Sequence, residues 1–150
     1  VYKLAAVKED DGSYTPKIKV SESMEKLTIP GLKKVWRIYD SDGKAMADYV
    51  TLADEVVDTK YGITLFDPVE TWKERTYVNC TAKCLSTPIY VGGKRVYDSP
   101  ALADIQKFCK AQIATLWDEV TRFENPHCYY VDLSQTLWDL RQNLLKKMSR

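Results

Sequence analysis

The feature that most constrains the fold of this chain is a change in hydrophobic period at Ser99-Pro100. Before that point, short runs alternate apolar and polar residues, which is the period of a half-buried β-strand. After it, apolar residues recur every three or four positions, which is typical of an amphipathic helix. The sequence therefore predicts an α+β fold, with small antiparallel β-sheets in the N-terminal two thirds followed by two C-terminal amphipathic α-helices.

Turn-forming residues separate the predicted strands. The Asp10-Asp11-Gly12-Ser13 and Asp40-Ser41-Asp42-Gly43 segments each predict a hairpin, and Gly92-Gly93 predicts a third turn. A short helical turn is expected over Met24–Lys26. The predicted strands are Val1–Glu9, Thr15–Ser21, Lys34–Tyr39, Ala45–Thr51, Ile63–Phe66, Thr71–Val78, Cys84–Val91 (an edge strand, because of Pro88) and Arg95–Tyr97.

Two helices complete the prediction. The first begins with Ser99 as N-cap and Pro100 at the first helical position, and runs to about Phe123. The second begins at Asp132, with Gln135 completing a pair like a capping box. Its predicted apolar face is Leu133, Leu137, Leu140, Leu144 and Met148.

Composition limits the class of protein. At 150 residues the chain fits one domain, 1–150. Its 22 basic against 21 acidic residues argue against nucleic-acid binding, and no apolar run is long enough to predict a membrane partner. We expect the four cysteines to be reduced thiols in a cytoplasmic protein. Because the sequence begins with Val1, we interpret it as a piece of a longer chain, with a mature secreted protein as the alternative.

Read residue by residue, the chain contains no complete active site. It has no phosphate-binding loop of the Walker type, no G-x-G-x-x-G after a strand and no H-E-x-x-H. His127 is the only histidine, and we expect it to lie in a loop and bond to backbone. The C-x-x-x-C spacing of Cys80 and Cys84 departs from structural zinc sites. We therefore predict no catalytic residue, no metal ligand and no cofactor held by this segment.

A basic segment, residues 16–39, is the remaining candidate site. It contains six basic residues, a serine and the turn signal Pro30-Gly31. Such an element could hold a phosphate-bearing ligand, but alternating lysines also solvate the outer face of a sheet, which is the interpretation that residue types alone favour. The basic residues are Lys17, Lys19, Lys26, Lys33, Lys34 and Arg37.

Two stretches carry a resemblance to a known family. The first runs from VYKL through KIKVSESMEKLTIPGLKKVWRIYD, and the second is NPHCYYVDLSQTLWDLRQNLL. Together they resemble the C-terminal part of bacterial nicotinate phosphoribosyltransferases, over the whole chain. Tyr130 departs from the family, which usually has proline there. The matching positions are Lys17, Lys19, Ser21, Lys26, Pro30, Gly31, Lys33, Val35, Arg37, Asn125, Pro126, Tyr129, Val131, Leu133 and Ser134.

The resemblance implies an enzyme that joins nicotinate to 5-phosphoribosyl-1-pyrophosphate, with ATP hydrolysis through a phosphorylated histidine and Mg²⁺ on the phosphates. It implies that the catalytic α/β barrel and N-terminal strands precede this segment, that the parent enzyme is a homodimer, and that the segment alone is inactive. His127 does not match the family's phosphohistidine context.

The candidate binding residues are Lys19, Ser21, Lys26 and Lys33. One hypothesis is that they contact a substrate phosphate, in this subunit or its neighbour; the other, which we favour at this point, is that they only attach the sheet to the barrel. A free-standing binding or scaffold module of the same fold is the alternative to the enzyme, and a small secreted disulfide domain is a third possibility.

Overall fold

The structure is a computed structural model that describes residues 3–23, 26–70 and 72–148. Within these residues the chain forms ten strands and three helices. The strands are β1 (Ala6–Lys8), β2 (Tyr14–Pro16), β3 (Lys33–Tyr39), β4 (Ala45–Leu52), β5 (Ile63–Phe66), β6 (Glu74–Tyr77), β7 (Thr81–Cys84), β8 (Tyr90–Val91), β9 (Lys94–Arg95) and β10 (Tyr130–Leu133). The helices are α1 (Leu102–Ile113), α2 (Asp118–Thr121) and α3 (Gln135–Met148).

A six-stranded sheet in the order β6-β5-β10-β4-β3-β7 forms the body of the domain. The β3–β4 hairpin turns at the predicted Asp40–Gly43 segment, where Gly43 has a φ of 77°. Strand β10 is inserted between β4 and β5, parallel to β4 and antiparallel to β5. Tyr130–Leu133, late in the sequence, therefore lies at the centre of the sheet, and β1–β2 and β8–β9 are separate two-stranded hairpins.

Each face of the sheet carries an apolar cluster. On one face, Val50 and Leu133 pack with Leu137 of α3. The opposite face holds a second cluster of strand residues without a helix of its own among the described elements. Its buried members are Ile38, Ala47, Ile63, Leu65 and Cys80. These two layers confirm the predicted α+β class.

The predicted strand Thr15–Ser21 is wrong beyond Pro16. The last bond of the β1–β2 ladder is from Lys17 N to Ala5 O, at 2.9 Å. After it the backbone turns to another partner, since Lys19 N donates to Thr28 Oγ1 at 3.3 Å and Lys19 O accepts from Thr28 N at 3.5 Å. Most of the predicted turn over Met24–Lys26, together with Val1, Tyr2 and Thr71 of the predicted strands, lies outside the described residues.

The predicted strand Cys84–Val91 is also wrong. The strand that completes this edge of the sheet is β7, which pairs with Trp36 to Tyr39 of β3 and ends at Cys84, with one further bond from Leu85 N to Val35 O at 2.8 Å. Residues 86–89 follow as irregular chain, and β8 pairs with β9 around Gly92-Gly93 as a separate hairpin.

Both helix starts differ from the prediction. Ala101 is the N-cap of α1, which ends at Ile113 rather than near Phe123. Ser99 does not cap it, because Ser99 Oγ accepts a bond from Arg95 Nη2 at 2.5 Å. Asp132 lies within β10 instead of capping α3, and Ser134 is the cap, its Oγ accepting from Leu137 N at 3.1 Å.

The remaining findings concern cysteines and hydropathy. All four cysteines are unpaired, with Cys80 buried and Cys109 and Cys128 exposed. In the described part of the chain, none of the helices combines the length and hydrophobicity needed to cross a bilayer.

Candidate functional site

The candidate site is positioned by the Pro30-Gly31 turn. Gly31 has a φ of 89°, a conformation that glycine adopts without the steric cost of a Cβ. Its N–H donates to Ala5 O at 2.7 Å, which attaches the β1–β2 hairpin to the start of β3. The turn therefore fixes where the irregular segment 17–23 lies relative to the sheet.

Three of the four candidate residues line one open cavity of about 670 Å³: Lys19, Ser21 and Lys26. Lys3 and Lys17 also contribute to its wall, so four lysines surround it. Lys3 Nζ donates to Lys26 O, which links the N-terminal segment to the far side of the cavity. We name this group of five residues the lysine cavity.

The lysine cavity has the chemistry of an anion site. Lysine ammonium groups act as mobile point charges toward phosphate, and Ser21 adds a neutral hydroxyl donor. No acidic side chain belongs to the wall formed by the described residues. The remaining lining is apolar, from Leu4, Ile18 and Val20.

Lys33 is not brought together with the other candidates. Its Nζ donates to Ile29 O at 2.8 Å and to Gly31 O at 2.6 Å, so it closes the turn before β3. Burial lowers the pKa of this ammonium group, because the charged form loses contact with water.

A half-buried ion pair, together with Tyr129, links the two stretches that carry the family resemblance. Arg37 Nε and Nη2 donate to the two carboxylate oxygens of Asp48 at 2.8 and 3.0 Å. Tyr129 Oη donates to Asp48 Oδ1 at 3.0 Å, and the Arg37 guanidinium lies 5.7 Å from the centre of the Tyr129 ring. The bond to Asp48 raises the pKa of Arg37, and burial raises the pKa of Tyr129. This arrangement stabilises the fold, and the side chains of Arg37, Asp48 and Tyr129 contact one another.

A second ion pair lies on the opposite face. Arg75 Nη1 donates to Asp132 Oδ2 at 2.6 Å, and its guanidinium stacks 3.7 Å from the centre of the Tyr130 ring. Burial raises the pKa of Asp132, and Arg75 opposes that shift. Neither ion pair was predicted from the sequence, because the partners are separated by 11 and 57 residues and meet only through strand register.

His127 lies beside a smaller cavity of about 270 Å³ with several aromatic residues. Its backbone N–H donates to Glu119 O at 2.8 Å. Among the described residues, no group of three or more His, Cys, Asp or Glu side chains is arranged to hold a metal ion.

Comparison with known proteins identifies the family. Residues 32–141 match the family described as "Nicotinate phosphoribosyltransferase C-terminal domain". The chain belongs to this family. All five residues of the lysine cavity precede the matched range, although longer alignments with relatives extend over nearly the whole chain.

Several relatives have the same name. The chain is 39% identical to the nicotinate phosphoribosyltransferase of Bacillus subtilis (strain 168), over 92% of this chain and 28% of that protein. It is 33% identical to that of Caenorhabditis elegans, over 96% of this chain and 25% of the relative. The chain thus spans about a quarter of the length of the curated relatives it matches.

The fold matches a solved member of the family. Human nicotinic acid phosphoribosyltransferase superposes with a TM-score of 0.71 at 26% sequence identity, over 79% of this chain and 24% of that protein. The resemblance to the C-terminal domain of nicotinate phosphoribosyltransferases is therefore confirmed in both sequence and fold.

Proposed function

We propose that this chain is part of an enzyme that transfers a phosphoribosyl group to nicotinate. The reaction forms nicotinate mononucleotide and pyrophosphate from nicotinate and 5-phosphoribosyl-1-pyrophosphate, driven by ATP hydrolysis, as a step of NAD biosynthesis. The observation that supports it most is the family match over residues 32–141, with relatives that are named for this activity.

Within that enzyme, this domain supplies no catalytic group of its own. The two ionic clusters engage their own partners, and His127 lacks the sequence context of the family's phosphohistidine. Catalysis then belongs to a barrel elsewhere in the polypeptide, and a homodimer would bring a second barrel near this domain. The chain alone would be inactive.

The role we assign to the lysine cavity is binding of a substrate phosphate. The reaction displaces pyrophosphate from the anomeric carbon of ribose, so negative charge accumulates on the departing group. Lys19 and Lys26 would provide positive charge and Ser21 a hydrogen bond. The grouping of four lysines and Ser21 around one cavity supports this role over simple attachment of the sheet. Lys33 would support the cavity by holding the turn.

Mg²⁺ does not fit this segment as a protein-held ion. The described residues offer no cluster of three metal-ligating side chains, and the lysine cavity is positively charged. Any magnesium that the enzyme uses would be held by phosphates and by residues outside this chain.

Two assays test the proposed activity. The longer polypeptide should form nicotinate mononucleotide, and the isolated 150-residue chain should form none. A longer polypeptide that folds but shows no phosphoribosyl transfer would favour the alternative, a binding or scaffold module.

Single variants in the longer polypeptide test the lysine cavity. Lys19→Ala or Lys26→Ala should raise KM for the phosphoribosyl donor about tenfold, equivalent to losing ~1.4 kcal/mol of binding. Lys8→Ala is the matched control, because Lys8 is an exposed strand lysine outside the cavity. Unchanged KM together with lower thermal stability would show that these lysines only attach the sheet.

A further inference from the structure

Helix α1 presents an apolar face that the described part of the chain leaves exposed. None of the twelve residues of α1, all of them described, is buried. Leu102 is 71% exposed, Phe108 64% and Ile105 48%. A helix of this length is marginal in water without tertiary packing, so this amphipathic face indicates a missing contact surface.

The β8–β9 hairpin that precedes α1 in the chain is similarly exposed. Tyr90 and Val91 of β8 are 66% and 58% exposed. A groove of about 690 Å³ lies at the junction, lined by Tyr97, Ile105 and Phe108 among others. We call residues 87–113 the arm. A groove of this kind, with aromatic walls, suits one large apolar side chain from a partner.

The arm is held in a defined position by its base. Just beyond α1, Thr115 O accepts from Ala45 N at 2.8 Å. Lys44 Nζ donates to Ala114 O and Leu116 O at 3.3 and 3.2 Å. These bonds join the end of α1 to the β3–β4 hairpin, so the C-terminal end of the arm is attached to the sheet.

We propose that the arm is the docking surface by which this domain packs against the catalytic body of its own polypeptide. This inference rests on the proposed function. The Bacillus subtilis relative and the solved human structure are more than three times as long as this chain, so each has ample polypeptide outside this domain to cover such a face. The expected partner surface is apolar, with a projecting aliphatic or aromatic side chain that fills the groove.

Lys107 and Lys110 of α1 fit the rim of such an interface, whereas Asp104 is one of the residues that line the groove. Asp104, Lys107 and Lys110 lie on the same short helix as the apolar face and are exposed. Exposed charges at an interface edge affect orientation more than affinity, whereas buried apolar contacts provide most of the binding energy.

Site-specific photo-crosslinking tests the proposal in the longer polypeptide. Phe108 is replaced by p-benzoylphenylalanine, and Val56, which is 93% exposed and remote from the arm in sequence, receives the same probe as control. We expect the probe at position 108 to crosslink within one molecule to a peptide outside these 150 residues, at a yield at least several times that at position 56.

Two results would overturn the proposal: crosslinks that join position 108 to a second copy of the chain, or a yield no higher than at position 56. A second measurement is independent of the probe. Ile105→Asp should lower Tm of the longer polypeptide by several degrees, whereas Val56→Asp should leave it unchanged. Crosslinking does not depend on turnover, so loss of the proposed activity and loss of the proposed contact are separate outcomes.

Discussion

Replacement of Gly31 by alanine would test how the turn before β3 holds the domain together. Gly31 has a φ of 89°, and a Cβ at this position would lie 2.6 Å from Leu52 Cδ2. Two separate costs follow: the strain of an L-residue in the left-handed region, and the overlap with a side chain that packs in the cluster of Val50, Leu133 and Leu137.

The magnitude can be estimated from these two costs. The left-handed conformation costs an L-residue about 1–2 kcal/mol. Overfilling a packed site costs about 1–3 kcal/mol, and the lower part of that range applies because Leu52 Cδ2 is the end of a flexible side chain. We therefore expect Gly31→Ala to lower the free energy of unfolding by about 2–4 kcal/mol and Tm by roughly 5–15 °C.

Gly12→Ala is the matched control. Gly12 has a φ of 85°, but a Cβ there would meet no described atom within 4 Å, so only the conformational cost applies. Urea unfolding followed by tryptophan fluorescence would give the free energy of unfolding for each variant. In a Leu52→Ala background, the cost of Gly31→Ala should fall toward that of Gly12→Ala. Equal costs for the two glycine variants, or no relief from Leu52→Ala, would refute the reasoning.

Two further predictions concern α3 and β10. Ser134→Ala should lower the free energy of unfolding by about 1–2 kcal/mol in the same assay, because it removes the cap on Leu137 N and the bond to Glu55 Oε1 at 2.8 Å. A smaller loss than for Gln135→Ala would contradict the assignment of Ser134 as the cap. Because burial raises the pKa of Asp132, the folded state binds its proton more readily than the unfolded state, so this carboxyl destabilises the fold at neutral pH. As pH falls through the raised pKa, the wild type should gain stability relative to Asp132→Asn, and a pH-independent difference would contradict this assignment.

Local sequence patterns predicted much of the fold. Strand Ile63–Phe66 was predicted with the bounds that the structure has, and the Gly12, Gly43 and Gly92-Gly93 turns lie where expected. These features depend on neighbours within a few residues, through alternation of apolar side chains and the conformational freedom of glycine. The family motifs were likewise readable from the chain, and they led to the lysine cavity residues.

The predictions that the structure contradicts concern pairing between segments that are distant in sequence. The predicted second helix began at Asp132, within the run Tyr130–Leu133. In the structure this run pairs with β4, about 80 residues earlier in the sequence, and with β5, about 65 residues earlier. It therefore forms a central strand of the sheet. Because Tyr130–Leu133 pairs as a strand, Ser134 rather than Asp132 caps α3, and Asp132 lies against Arg75.

By itself, the sequence determined the elements that short-range sterics and hydrophobic period can specify, together with the family to which the chain belongs. Only the tertiary structure decided that Lys19, Ser21 and Lys26 share a cavity while Lys33 closes a turn, and that the other described residues leave the apolar face of α1 exposed. The physical reason is that residues distant in sequence meet only when strand register and turn geometry bring them together, and neither is encoded in a local pattern.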